Sequence, residues 1–158
     1  MNPARIITRL NLWLSRIPYS PIALLGRFAI AAVFWKSGQT KIDGLAIDIV
    51  SGEFSLGWPS LKPLAVFLFR DEYSLPLLSP ELAATLAALA EHAFPVLLLL
   101  GLATRLSALA LLMMTLVIQL LVYPGAYPVH GVWATVLLLL MSRGAGMFSL
   151  DHWLARRR

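Results

Sequence analysis

Residues 82–123 read LAATLAALAEHAFPVLLLLGLATRLSALALLMMTLVIQLLVY, two long apolar runs that meet at a short turn ending in Arg105. A helix rises 1.5 Å per residue, so about 20 apolar residues cross the roughly 30 Å hydrocarbon core of a bilayer. The runs 82–102 and 106–123 are each therefore predicted to span a membrane. The turn between them is so short that the two helices should be antiparallel neighbours.

Two further stretches are also apolar and long enough to span a membrane. Residues 21–39 begin with a proline, which suits the first turn of a helix. Residues 125–142 reach spanning length near the end of the chain. We therefore predict an all-α fold, an integral membrane bundle of four helices that forms a single domain over residues 1–158.

The remaining segments are expected outside the hydrocarbon. Residues 3–17 are too short and too charged to span, but their apolar and arginine residues fall on opposite faces. This pattern predicts an amphipathic helix lying on the membrane surface. Residues 42–81 form one long loop, rich in glycine and proline, that is expected to be irregular and periplasmic. Within it, residues 64–69 are too short to span and are expected to dip into the interface or cap the bundle.

The composition excludes several classes of protein. Apolar residues make up 59% of the chain and charged residues 13%, against about 25% charged in a soluble domain. This balance argues against a disordered chain and against a soluble globular domain. The net charge of +5 does not indicate a nucleic-acid partner, because the arginines lie at the ends of apolar runs. The chain contains no cysteine, which excludes disulfides, iron–sulfur clusters and covalent c-type haem.

The basic residues predict an orientation, since they concentrate on the cytoplasmic side of membrane proteins. With the N-terminus in the cytoplasm, the inner side receives Arg5, Arg9, Arg16, Arg105, Arg143, Arg156, Arg157 and Arg158. The outer side then receives only Lys41, Lys62 and Arg70. Both termini are therefore predicted to be cytoplasmic.

Ionisable residues within membrane helices are costly and are candidates for function. Arg27 begins a helical face that ends at Lys41, and Glu91 lies near the middle of the second span with His92 beside it. Gln119 is the main polar residue of the third span. These five residues are the predicted intramembrane polar site.

A purely structural role is the alternative for each of these residues. Arg27 and Glu91 are expected to face each other, either as a structural ion pair or as part of a site. His92 could ligate a metal or haem, or could simply hydrogen-bond a neighbouring helix. His130 is expected at the membrane interface. The sequence shows no metal-ligand cluster and no pair of nucleophile and base.

Three motifs resemble the DoxX family of small bacterial membrane proteins. The first is Arg27-x3-Ala31-x2-Phe34-x3-Gly38-x2-Lys41, and the second is Glu91-x3-Pro95 followed by LLLLGLATRLSAL (97–109). The third is GAGMFSLD (144–151). The resemblance implies a four-helix bundle of the bacterial inner membrane, related to the small subunit of a thiosulfate:quinone oxidoreductase.

The leading hypothesis is an accessory subunit of a membrane redox system that binds a quinone-like molecule. Arg27 and Lys41 would hydrogen-bond headgroup oxygens, and Glu91 would carry protons. The chain has no evident electron-carrying centre, so a partner subunit or bound cofactor would supply one. Alternatives are a non-catalytic scaffold or assembly factor, and a small carrier that moves protons or a solute past Glu91. Besides the lipid bilayer, a redox or membrane subunit and a second copy of the chain are the expected partners.

Overall fold

The computed structural model of the chain describes residues 3–157. Its helices are α1 (Pro3–Leu14), α2 (Tyr19–Gln39), α3 (Pro63–Leu68), α4 (Pro80–Leu100), α5 (Thr104–Val117), α6 (Tyr127–Arg143) and α7 (Leu150–Ala155). Its strands are β1 (Ile42–Asp48) and β2 (Glu53–Leu61). Two π-helical turns, Phe69–Tyr73 and Ile118–Val122, continue α3 and α5.

The four long helices pack around one apolar core. Helix α2 packs against α4 and α6, and α5 packs against α4 and α6. The core consists of fully buried side chains from all four helices: Ala23, Ile30, Phe34, Leu98, Ala108, Leu111, Leu137 and Leu140. We call the end of the bundle that carries the strands the hairpin end and the opposite end, which carries α7, the tail end.

Three helical segments are long and apolar enough to cross a membrane: Pro80–Leu100, Thr104–Val122 and Pro124–Arg143. They correspond to the three predicted spans in the C-terminal half of the chain. Tyr19–Gln39 reaches the same standard together with Ala4–Leu14, from which it is bent by 64°. The protein is therefore a helical membrane protein, and residues 3–157 contain three such spans, or four if that bent pair counts as one.

The N-terminal residues form the predicted amphipathic helix. Helix α1 projects from the bundle, and its apolar residues Ile7, Leu10 and Trp13 are more than half exposed. Because no protein surface covers them, the apolar face of this helix is free to contact lipid.

The structure corrects the all-α prediction, because part of the long loop is a β-hairpin. Strands β1 and β2 pair antiparallel, from Ile42 opposite Leu61 to Asp48 opposite Glu53. The apolar and polar residues of 53–58 alternate, which is the period of a strand, but the glycines and prolines around them indicated an irregular loop. Asp48 closes the turn, since its carboxylate accepts hydrogen bonds from the Val50 and Ser51 amides. These bonds stabilise the charged carboxylate and lower the pKa of Asp48.

The segment after the hairpin lies against the bundle. Helix α3 packs on α4, and Phe69 forms a small second core with Ala83 and Ala84. The six-residue apolar run at 64–69 is therefore a cap on the hairpin end of the bundle, one of the two arrangements expected for it.

The tail end is closed by hydrogen bonds that reach across the chain. Ser149 caps α7 by accepting a bond from the His152 amide. The Asp151 carboxylate accepts bonds from the amides of Ala103 and Thr104, at 2.8 and 2.9 Å, where α5 begins. A carboxylate at a helix N-terminus also interacts favourably with the helix dipole. Asp151 thus caps a helix 47 residues earlier in the chain.

Replacing Asp151 with alanine should lower the stability of the protein by about 1–2 kcal/mol, because two amides at the start of α5 lose their acceptor. Thermal unfolding in detergent measures the loss. Asp71→Ala, at an exposed aspartate of the π-helical turn, is the control and should leave the melting temperature nearly unchanged. Equal melting temperatures for the two variants would contradict the capping role.

Candidate functional site

A buried ion pair joins α2 to α4 at the hairpin end. The Lys41 ammonium lies 2.6 Å from the Glu91 carboxylate, and the two side chains are only 10% and 4% exposed. Ser37 completes the group, since its hydroxyl donates to Glu91 Oε1 at 3.1 Å and accepts from Lys41 Nζ at 3.1 Å. The pair is therefore held in one geometry by a third polar side chain.

A glycine allows the two helices to approach each other here. A Cβ atom built at Gly38 would lie 2.7 Å from His92 Cε1 and 3.1 Å from Glu91 Cβ. A larger residue would require the His92 ring or α4 itself to shift. The close approach brings the last turn of α2 within reach of Glu91, so Gly38 sets the distance across which Lys41 and Glu91 meet.

His92 links α4 to the end of α2. Its Nε2 lies 2.9 Å from the Gln39 side-chain amide, and its Nδ1 lies 2.6 Å from the Ala88 carbonyl. The imidazole also meets the Trp35 ring edge-on, with ring centroids 5.0 Å apart. Both ring nitrogens have protein partners, so the structure places His92 as a hydrogen-bonding residue between α4 and α2.

A cavity of about 380 Å³ lies beside the ion pair. Its walls are apolar and aromatic apart from a few polar groups, and they come from α2, α4, α5, α6 and the segment after α3. Lys41, Glu91 and Ser37 form one polar part of the lining, and His130 is another. The principal aromatic residues are Phe34, Phe69, Tyr73, Tyr123 and Trp133.

His130 belongs to this cavity, although the sequence suggested an interfacial residue. It is buried, and its ring contacts the Trp133 ring with centroids 5.0 Å apart. Its Nδ1 lies 2.7 Å from Gln119 Oε1, while Gln119 Nε2 donates to the Pro124 carbonyl at 2.7 Å. Because the Gln119 oxygen must accept, His130 carries its proton on Nδ1, and Nε2 remains for a further partner.

Gln119 therefore acts on the cavity indirectly, as the residue that orients His130. It lines a smaller cavity of about 250 Å³ between α5 and α6, to which His130 also contributes. A signal for this pair was present in the sequence, since both are polar residues in apolar runs at the same end of consecutive antiparallel helices.

The predicted pairing of Arg27 with Glu91 is wrong. Arg27 is fully buried at the tail end, where Nη1 donates to the Leu99 carbonyl at 3.0 Å and Nη2 to the Phe148 carbonyl. The last carbonyls of α4 have no partner within the helix and carry its negative dipole end, so they attract a guanidinium. Arg27 therefore binds backbone oxygens, and Glu91 binds Lys41.

Of the five residues predicted to form one site, only Lys41 and Glu91 line the main cavity. Gln119 supports it through His130, His92 packs behind the ion pair, and Arg27 forms a separate polar centre. Within residues 3–157, no three His, Asp or Glu side chains are grouped so that they could hold a metal ion. The chemistry of the site is thus that of an ion pair, a histidine and an apolar cavity.

These features define a helical membrane protein with a polar site enclosed between its helices. The family model for DoxX matches residues 22–124, more than half of the chain, and the chain belongs to the DoxX family. No curated protein and no solved structure matches it.

Removing one member of the ion pair should destabilise the protein more than removing both. Lys41→Met leaves a buried carboxylate without its cation and should cost about 3–5 kcal/mol. Adding Glu91→Gln should recover much of that loss, because no lone charge remains. Thermal unfolding of both single variants and the double variant in detergent gives the coupling energy between Lys41 and Glu91.

The matched control is the pair Arg27→Leu and Glu91→Gln. Since Arg27 binds carbonyls at the other end of the bundle, the effects of these two changes should add. Coupling between Arg27 and Glu91, with none between Lys41 and Glu91, would contradict the pairing described above.

Proposed function

We propose that this DoxX protein binds a quinone-like molecule in the hairpin-end cavity and serves as an accessory subunit of a membrane redox system. The observation that carries the proposal is an apolar, aromatic-lined cavity with an ion pair and a histidine in its walls. Its volume of about 380 Å³ lies within the range of about 300–1,000 Å³ typical of small-molecule sites.

The polar groups suit a ring that carries two oxygen atoms. The Lys41 ammonium can donate a hydrogen bond to one oxygen, as the sequence hypothesis proposed. His130 donates from Nδ1 toward Gln119, and in the tautomer that carries its only proton there, Nε2 is an acceptor for a hydroxyl. A quinol, which carries hydroxyl groups, therefore matches this pair of groups, and the aromatic walls suit the flat ring.

Glu91 is the group placed to exchange a proton with such a ligand. It lines the cavity through a carboxylate that Lys41 and Ser37 already hold. If the Lys41 ammonium turns toward a ligand oxygen, the carboxylate loses its counter-charge and becomes a better proton acceptor. Arg27, which the sequence hypothesis placed at the headgroup, has no part in this arrangement.

The electron-carrying group would be supplied by a partner subunit or a bound cofactor, since the chain has no cysteine for an iron–sulfur cluster. Quinone and electron acceptor would then meet at the surface of a complex in the inner membrane. In our proposal α2 also spans the membrane, which brings the number of spans to four, and both termini are cytoplasmic. This orientation directs the hairpin end and its cavity toward the periplasm.

Filling the cavity should weaken ligand binding without disturbing the polar groups. Ala87 lines the cavity on α4, whereas Ala93 on the same helix is exposed on the outer face. Ala87→Phe should lower the affinity for a short-chain ubiquinol or menaquinol analogue at least tenfold. Quenching of Trp133 fluorescence in purified protein measures binding, with Trp133→Phe to identify that signal.

Ala93→Phe adds the same side chain to the same helix and should bind the analogue as the unchanged protein does. Equal binding by the Ala87 and Ala93 variants would place the ligand elsewhere. Absence of binding to the unchanged protein, together with no quinone in lipid extracts of it, would contradict the proposed function. A proton flux in liposomes that Glu91→Gln abolishes would then favour a carrier.

The proposed topology has its own test. Reporters that are active only in the cytoplasm should be active when fused at residue 158 and inactive when inserted at Gly52 in the hairpin turn. Alkaline phosphatase, which is active only in the periplasm, should give the opposite result at both positions. An active phosphatase at the C-terminus would contradict the orientation.

A further inference from the structure

The β-hairpin exposes an unusual number of apolar side chains. Trp58 is 92% exposed and Leu56 84%, and at the turn Ile49 and Val50 are 81% and 89% exposed. Phe54 lies on the same strand and is 65% exposed. A concentration of exposed apolar side chains on one hairpin indicates a contact with a partner or with lipid.

The hairpin does not extend away from the bundle. If β1 continued straight from the end of α2, Ile47 would lie about 17 Å beyond Ile42. Instead the Ile47 amide donates to Gln39 Oε1 at 2.8 Å, and the Ile47 carbonyl accepts from Trp35 Nε1 at 3.0 Å. The far end of β1 therefore lies beside the last turns of α2.

The bend is built into the backbone at Gly44. The register of the two strands shifts between Asp43 and Leu45, and Gly44 between them has a φ of +86°. A Cβ atom at this position would collide with the Trp58 carbonyl. Only glycine accommodates both conditions, so the β-bulge that turns the hairpin back toward α2 is a fixed feature.

This placement sets the level of the hairpin turn relative to the membrane. Lys36 of α2 lies 4.0 Å from Asp48, the residue that precedes the turn. Lys36 and Trp35 are in the last turns of a long apolar helix, where lysine and tryptophan side chains reach the headgroup region. Ile49 and Val50 therefore lie near that same level, next to the lipid-facing surface of α2.

We infer that the hairpin is a membrane-surface element whose apolar residues, Val50, Leu56 and Trp58 among them, enter the headgroup region of the adjacent leaflet. The occupant of this surface is phospholipid, because the hairpin continues the lipid-facing surface of the helices it leans on. The contact is interfacial, since Asp48, Glu53 and the unpaired edge of β2 require water or headgroups as partners.

Single-cysteine spin labelling tests this directly, because the chain has no cysteine of its own. Nitroxide labels at Val50→Cys and Leu56→Cys are compared in vesicles of phosphatidylethanolamine and phosphatidylglycerol. We expect both labels to collide severalfold more with oxygen, which concentrates in the bilayer, than with a water-soluble nickel chelate.

Ser55→Cys is the matched control, because it neighbours Leu56 and faces the opposite side of the strand. Its label should favour the nickel chelate, and this contrast excludes an effect of the label itself. Labels at 50 and 56 that favour the nickel chelate would overturn the inference. So would labels shielded from both reagents that show spin–spin broadening at high protein density, since a second copy of the chain would then cover the hairpin.

Discussion

The free energy of burying charge governs how this bundle is arranged. An unpaired charge within a membrane helix costs about 2.5–3.5 kcal/mol or more, and the chain buries Arg27, Lys41 and Glu91. Lys41 and Glu91 neutralise each other at 2.6 Å. Arg27 donates through Nη1 and Nη2 to backbone carbonyls at the C-terminal end of α4 and at Phe148, while its buried Nε has no hydrogen-bond partner among residues 3–157. The Lys41–Glu91 ion pair and the Arg27 hydrogen bonds lie at opposite ends of the same helix pair, so together they fix the register of α2 against α4.

The lengths and positions of the long helices could be predicted because a membrane span needs a sufficiently long apolar run, and such runs are visible in the sequence. The predicted span 82–102 corresponds to Pro80–Leu100, and 106–123 corresponds to Thr104–Val122. The hairpin could not be predicted with the same ease, because its stabilising contacts are not local. Gln39 and Trp35 bind Ile47 from the preceding helix, and these bonds leave no periodic mark in the sequence.

The candidate site, too, could be predicted from the sequence only in part. Glu91 and Lys41 could be singled out because charge inside an apolar run is visible in the sequence. Their pairing could not, since helical rise gives a height for each residue but not the carbonyl oxygens that compete for Arg27. One of these carbonyls, that of Phe148, lies 121 residues away along the chain. The position of His130 near a helix end predicts an interfacial residue, but it does not reveal that His130 is buried in the protein beside Gln119 and Trp133.

The two ends of the bundle differ in a way that bears on function. At the tail end, hydrogen bonds that Arg27 donates and that the Asp151 carboxylate accepts tie α2, α4, α5 and the C-terminal segment together. At the hairpin end both π-helical turns border the cavity, Phe69–Tyr73 on one side and Ile118–Val122 on the other. Such turns are rare, and they are frequently found at functional sites. The deformed backbone and the cavity therefore coincide at the end of the bundle where packing is least regular, while the hydrogen-bonded tail end holds the helices in register.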